Sequence, residues 1–153
     1  PVWSADYSAS VVIVSKLLDG SLGACPDIGF GVVDVRDVAD LHVRALTAPA
    51  SMAGERFIAN GRFLTLRELA EVLRAGLAPQ HAARITTRDV PDWLVRVAAW
   101  FNPLARAVVG ELGSVRHQSA EHARAVLGWA TRPVEHSIVD CAHSLVALGL
   151  ARR

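Results

Sequence analysis

The stretch GVVDVRDVADLHVRAL, residues 31–46, changes within a few residues from the pattern of a buried strand to that of a helix. Gly31 to Val35 is an apolar, β-branched run, which is typical of a strand. Asp34 can accept a hydrogen bond from the free N–H groups of the following turn, so we expect it to cap a helix over 35–47. The stretch therefore predicts a rigid strand-to-helix corner of an α/β fold.

The helix of this corner is predicted to have one apolar and one charged face. Apolar side chains at helical spacing mark the buried side, which leaves Arg44 exposed to solvent. We interpret His42, on the apolar side, as a histidine hydrogen-bonded in the core. The predicted apolar face holds Val35, Val38, Ala39, His42, Ala45 and Leu46, and the charged residues elsewhere are Arg36, Asp37, Asp40 and Arg44. We expect Val35, Val38, Leu46 and either Leu41 or His42 to be mostly buried.

The rest of the chain predicts further helices and short strands without an evident linker. A helix over 11–18 ends at Asp19–Gly20, and Thr65 with Glu68 forms a capping box for a helix that buries Leu66, Leu69, Ala70, Leu73 and Leu77. The other predicted elements are strands over 56–61 and 84–91, a helix with Pro91 in its first turn, a helix capped by Ser119, and a last helix with Val134, Ile138, Cys141, Leu145 and Leu148 on one face.

Composition favours a small-molecule context. The chain has 153 residues, 16 basic and 15 acidic, and this balance argues against binding to nucleic acid or to anionic lipid. The longest apolar run, 93–101, is interrupted by Arg96 and is shorter than the ~18 residues of a membrane span.

Cys25 and Cys141 are far apart, which fits free thiols in the cytoplasm. The start at Pro1, without methionine or signal-peptide pattern, is expected to be internal to a longer protein.

The sequence contains no complete catalytic or nucleotide-binding motif. G-x-G-x-x-G is absent, and the pair Gly29 and Gly31 precedes a strand, not a helix. The one tyrosine, Tyr7, and the one lysine, Lys16, cannot form a Tyr-x-x-x-Lys helix. The six histidines lack the spacing of a helical zinc motif. We therefore assign no catalytic residue and no metal site.

Four aromatic residues have two interpretations. Trp93, Trp100, Phe101 and Trp129 could line a pocket for an apolar ligand. Aromatic side chains at helical spacing belong more often to a core, and we favour that interpretation.

Several segments, in order, resemble the C-terminal part of an extended short-chain dehydrogenase/reductase of the NAD-dependent epimerase/dehydratase group, in particular its dihydroflavonol reductase-like members. They are PVWSADYSAS, GFGVVDVRDVADLHVRALTAP, GERFIANGRFLTLRELAEVLR, SAEHARAVLGW and RPVEHSIVDCAHSLVALGL. The resemblance implies that residues 1–153 are the helix-rich α/β substrate-domain portion. It places the N-terminal Rossmann half, with the Gly-rich loop and the catalytic Ser, Tyr and Lys, upstream of Pro1.

The resemblance also implies a function. Such proteins reduce or epimerise carbonyl-bearing small molecules with NAD(P)H, so this chain is expected to be the substrate-binding part, inactive alone and without tight binding of NAD(P). Ser10 is the candidate cofactor contact, with helix capping by Ser8 or Ser10 as the alternative. Tyr7 and Arg36 are the candidate substrate contacts. For Arg36 we favour instead a salt bridge with Asp37, Asp40 or another acid.

A second hypothesis belongs to another class of protein. The chain is then a non-catalytic module that binds a hydrophobic small molecule or dimerises. In either case, the faces that a Rossmann half would cover, at 11–18 and 31–46, are expected to be apolar and partly exposed, and to favour self-association.

Overall fold

The computed structural model describes residues 2, 8–116 and 118–150, and within them the fold is a helix-rich α/β arrangement. No helix in this described part combines the length and the apolar character needed to cross a membrane. The elements are α1 (Ala9–Leu18), β1 (Gly29–Val32), α2 (Val35–Leu46), β2 (Arg62–Thr65), α3 (Leu66–Gly76), α4 (Pro79–Ala82), α5 (Asp92–Ala98), α6 (Pro103–Val108), α7 (Glu121–Leu127) and α8 (Val134–Ala147), with 3₁₀ turns at Ala50–Met52 and Val109–Glu111.

The chain divides into two compact units. Unit 1 comprises Pro1–Phe30, Leu64–Val115 and Ile138–Arg153, and unit 2 comprises Gly31–Phe63 and Arg116–Ser137. β1 and β2 form a two-stranded sheet. In unit 1 the N–H of Leu66 donates to the Ile28 carbonyl, and in unit 2 that of Gly61 donates to the Val32 carbonyl, so the strands are antiparallel. A Cβ at Gly61 would lie 2.7 Å from the Val32 oxygen, which explains the glycine.

The core of unit 1 is built mainly from α1, α3 and α8. The capping box at the start of α3 is present as predicted: the Thr65 hydroxyl accepts from the Glu68 N–H, and the Glu68 carboxylate accepts from the Thr65 N–H. The predicted apolar face of α3 is confirmed, since its leucines and Ala70 are buried. The buried apolar side chains that these three helices contribute to unit 1 are Val14, Leu17, Leu18, Leu66, Leu69, Ala70, Leu73, Ile138, Ala142 and Leu145.

The core of unit 2 surrounds Trp129, which is only 1% exposed. Leu41 of α2 and Ala123 of α7 belong to the same buried cluster. The indole N–H of Trp129 donates to the main-chain carbonyl of Asp37 at 2.8 Å. This bond satisfies a buried polar group and ties α2 to the segment that follows α7.

The predicted buried face of α2 is mostly wrong. Leu41 is buried as expected, but Val35 is 61% exposed and Leu46 is 85% exposed, and Asp37 is buried instead. The helix is rotated because the Asp37 carbonyl and carboxylate bind side chains of the segment after α7, which places an acid inward. His42 is likewise exposed, and its Nδ1 lies 2.8 Å from the Val38 carbonyl oxygen, so it is not a core histidine.

Two predicted strands are also wrong. Residues 56–61 form no strand, and β2 begins only at Arg62. Residues 84–91 contribute a single parallel bridge between Asp89 and Cys25, since Pro91 ends the extended segment. The first strand ends at Val32, earlier than expected, because Asp34 is already the N-cap of α2.

Three of the four aromatic residues do not belong to a core. Trp93, Trp100 and Phe101 are exposed, and of the four only Trp129 is buried. The reason is the orientation of α5 and the turn after it, in which Val95 and Ala99 are buried and the three aromatic side chains are exposed.

Candidate functional site

The corner between β1 and α2 in unit 2 is organised by a buried carboxylate. The side chain of Asp34 is 1% exposed, and its Oδ1 accepts from the main-chain N–H of Arg36 at 2.8 Å, as the capping prediction requires. The Arg36 guanidinium returns to the same carboxylate, with Nε 2.8 Å from Oδ1 and Nη2 2.7 Å from Oδ2. The two residues thus form a bidentate ion pair at the start of the helix.

This pairing sets the charge of the corner. The hydrogen bond from the Arg36 side chain is the main reason why the pKa of Asp34 lies far below its ordinary value, and it outweighs burial, which acts in the opposite direction. Asp34 is therefore ionised and fully engaged at neutral pH. It has the chemistry of a structural anchor and not that of a proton donor.

A second buried acid anchors the other side of the corner. The Asp37 carboxylate accepts from the main-chain N–H of Arg132 at 2.9 Å and from its Nε at 2.8 Å. The Arg132 Nη2 also lies 2.8 Å from Asp37 Oδ1, and its Nε lies 4.0 Å from Asp34 Oδ2. Arg132 therefore neutralises the inner face of α2.

Arg44 holds the far end of α2 in the same way. Its Nη1 donates to the carbonyls of Leu127 at 3.0 Å and Gly128 at 3.2 Å, and its Nε binds Asp40 at 2.7 Å. Gly128 has a φ of +59°, the left-handed conformation that ends α7. Arg44 is thus half-buried, not exposed as predicted. The bonds of Arg44 to the end of α7 and of Trp129 to Asp37 were not predicted from the sequence, although the pair Gly128–Trp129 directly after a helical pattern indicates a helix end.

The predicted site residues fall in different parts of the chain. Arg36 lies in unit 2 and makes the predicted alternative interaction, a salt bridge, although its partner is Asp34 and not Asp37 or Asp40. Tyr7 lies outside the described residues.

Ser10 lies in unit 1, in the first turn of α1. Its hydroxyl is exposed and lies 2.9 Å from the Ser8 hydroxyl. Ser8 occupies the N-cap position, but its side chain makes no capping hydrogen bond. The two hydroxyls therefore pair with each other instead of capping the helix.

Each unit also contains an open cleft. The cleft of unit 1, about 250 Å³, lies beside Cys25 and Arg67, and Arg67 is paired with Glu71 and Asp89. Burial is the main cause that raises the pKa of the Cys25 thiol, so this thiol is protonated and a poor nucleophile. The cleft of unit 2, about 300 Å³, is lined by Asn60, Arg62, Gln118 and Arg124 among others.

The glycine-rich turn that commonly binds the pyrophosphate of a dinucleotide is not found in the sequence. Such a turn, placed before a helix, presents main-chain N–H groups to the phosphate oxygens. Within residues 8–116 and 118–150, no three His, Cys, Asp or Glu side chains are grouped to hold a metal ion.

Comparisons with known proteins were made by sequence and by structure. No family model matches the chain. It is 37% identical over 99 residues to ketoreductase azaE of Aspergillus niger, an alignment that covers 64% of this chain and 28% of that protein.

Two solved structures share the fold. The structure of gox2253 matches with a TM-score of 0.67 and 23% identity over 93% of this chain. Gre2 of Candida albicans, solved in complex with NADPH, matches with a TM-score of 0.63 and 20% identity over 99% of this chain. The chain spans 44% of the first structure and 39% of the second, which is less than half of either.

Proposed function

We propose that this chain, which shares the fold of part of gox2253 and of part of Gre2, is the substrate-binding C-terminal portion of an extended short-chain dehydrogenase/reductase that reduces a carbonyl-bearing small molecule with NAD(P)H. The observation that carries the proposal is the 37% identity to a ketoreductase over 99 residues. The longer protein supplies the Rossmann half, the glycine-rich turn and the catalytic acid, none of which the 153 residues encode.

The candidate residues have separate roles in this proposal. Ser10 has an exposed hydroxyl at the start of α1, which suits a hydrogen bond to the nicotinamide side of the cofactor. Tyr7 is the proposed substrate contact. Arg36 is engaged with Asp34, so we assign it mainly to the corner that carries α2, and a direct substrate contact is the second option.

An exposed apolar stripe on α2 supports the proposal that another part of the longer protein covers this helix. Val35, Val43 and Leu46 follow at helical spacing, and each is more than half exposed. We infer that the nucleotide-binding half covers this stripe. On α1, the other expected surface, Val11, Val12 and Ile13 are partly exposed, whereas Val14, Leu17 and Leu18 are buried within unit 1.

We place the protein in the cytosol, a proposal supported by the two free cysteines, Cys25 and Cys141.

The exposed apolar stripe also suits the alternative of a non-catalytic module that binds a hydrophobic ligand or dimerises. The two functions differ in one property, the turnover of a carbonyl substrate by the longer protein.

The test uses the longer reading frame that contains these residues. Oxidation of NADPH and NADH is followed with a panel of ketones, aldehydes and a dihydroflavonol, and we expect turnover of at least one carbonyl compound. Ser10→Ala should lower kcat/KM about 2- to 10-fold through loss of one hydrogen bond, whereas the exposed Ser51→Ala should not. A folded protein with no turnover under either cofactor would exclude the reductase function and leave the module.

A further inference from the structure

The cleft of unit 2 carries polar groups that the proposed function does not use. Its volume, about 300 Å³, lies at the lower end of the range for small-molecule sites. One wall is the segment 60–63, which leads into β2. The other wall lies at and before the start of α7 and includes Gln118, Ser119, Ala120 and Arg124. All of these residues belong to unit 2.

A buried amide joins the two walls of this cleft. Asn60 is only 6% exposed, and its Nδ2 donates to the main-chain carbonyl of Gln118 at 2.8 Å. A Cβ at Gly31 would lie 2.6 Å from Asn60 Oδ1 and 3.0 Å from Gln118 Oε1, so glycine at this position of β1 lets both side-chain amides pack against the strand. The walls are therefore held by tertiary contacts, which lowers the cost of ordering them around a ligand.

Three side chains of the second wall have hydrogen-bonding groups without a partner. Within residues 8–116 and 118–150, the side chains of Gln118 and Arg124 make no hydrogen bond or ion pair. The Ser119 hydroxyl accepts from the Glu121 N–H at 3.2 Å, and its own proton is free to donate. An amide, a hydroxyl and a guanidinium thus offer donors from the same wall.

The charge of the cleft is positive. Two arginines line it, and no Asp or Glu is among the described residues that do so. Arg62 is paired with Glu135, at 2.5 Å between Nη1 and Oε1, so the uncompensated charge is that of Arg124. A guanidinium presents its N–H groups in one plane, and this geometry matches the oxygens of a carboxylate or a phosphate.

We propose that this cleft binds the carboxylate or phosphate group of a small molecule. Arg124 is the charged contact, and Gln118 and Ser119 are the further hydrogen-bond donors. The site does not depend on the reductase function, since every residue that forms it is present in this chain and none takes part in carbonyl reduction. Because Arg124 is exposed and its attraction for an anion is partly screened by water, we expect an affinity for a bare anion in the millimolar range.

A titration followed by nuclear magnetic resonance tests the site on the full 153-residue chain. The isotope-labelled chain is titrated with sodium phosphate and, separately, with sodium malonate, while sodium chloride keeps the ionic strength constant. We expect saturable shifts of the N–H signals of Gln118, Ser119 and Arg124 with at least one of the two anions. The anion with the lower dissociation constant shows whether the preferred group is a phosphate or a carboxylate.

Two arginine variants separate this site from general attraction of anions. Arg124→Gln should raise the dissociation constant about 10-fold, because it removes the charge-assisted hydrogen bonds. The control is Arg96→Gln on α5 in unit 1, which removes an exposed arginine without an ion-pair partner in the described part of the chain and should leave binding unchanged. Circular dichroism verifies that both variants are folded. Shifts no larger than those in sodium chloride alone, unchanged binding in Arg124→Gln, or an equal loss in Arg96→Gln would each overturn the proposal.

Discussion

The Asp34 carboxylate is buried, and its ionised form is stabilised by three hydrogen bonds from Arg36. A buried acid with such partners stays ionised in the folded protein at a pH where it would be protonated in the unfolded chain. The corner therefore couples its own stability to pH.

The sign of this dependence follows from the lowered pKa of Asp34. Its contribution to stability is fully present above the ordinary carboxyl pKa of about 4 and is lost as the pH falls below that value. Asp34→Asn should lower the free energy of unfolding at pH 7 by about 3 kcal/mol and flatten the loss of stability in acid. Urea denaturation between pH 2 and pH 7 measures both effects. Asp40→Asn is the control, since it removes only an exposed ion pair worth about 0.5 kcal/mol. An unchanged acid slope in Asp34→Asn would contradict the assignment.

Thr65 is a second residue whose role is local. Thr65→Ala removes the hydroxyl that accepts from the Glu68 N–H and should cost about 1 kcal/mol of unfolding free energy. Thr47→Ala is the matched control at the end of α2, where the hydroxyl only donates to main-chain carbonyls that are exposed, and it should cost less than about 0.5 kcal/mol. Chemical denaturation compares the two. Equal costs would argue against the capping box.

At the scale of elements, α2 shows how an apolar pattern can mislead. Its apolar residues at helical spacing predict that Val35 and Leu46 are buried, yet the helix turns Asp37 inward with Leu41 and leaves these two residues exposed. The orientation of α2 is set by two interactions: Trp129 donates to the Asp37 carbonyl, and Arg132 donates to the Asp37 carboxylate. Under our proposal, the exposed apolar stripe of α2 packs against the nucleotide-binding half of the longer protein.

Two leucines of α2 test this orientation. Leu41→Ala should cost 2–5 kcal/mol, since Leu41 is buried beside Trp129 and its truncation leaves a cavity. Leu46→Ala should change the free energy of unfolding by less than about 0.5 kcal/mol, because Leu46 is exposed. Thermal or urea unfolding of the two variants separates these outcomes, and the reverse order would restore the orientation predicted from the apolar pattern.

At the scale of the whole molecule, the proposed function predicts that this chain alone does not bind NADPH tightly. Micromolar affinity requires about 8 kcal/mol, whereas one hydrogen bond from Ser10 contributes about 0.5–1.5 kcal/mol. Isothermal titration of the purified chain with NADPH and NADH should detect no micromolar binding. A micromolar dissociation constant would overturn the division of roles between the two halves.

The sequence by itself was sufficient to predict the local features of this fold. The Asp34 cap, the capping box of Thr65 and the apolar face of α3 were predicted correctly, because each depends on residues within one or a few helical turns. The salt bridge of Arg36 was also predicted, although its acidic partner was not identified. At the candidate site, Ser10 and Arg36 could be named from the resemblance, and the environment of each was supplied only by the structure.

Only the tertiary structure decided which faces are buried. The two hydrogen bonds that orient α2 join residues that are 92 and 95 positions apart in the chain. No local periodicity can therefore predict them. In the same way, Val95 and Ala99 are buried in α5 and the turn after it, whereas Trp93, Trp100 and Phe101 are exposed. Helical spacing specifies which side chains share a face, but the direction of that face depends on the hydrogen bonds and packing partners that distant segments supply.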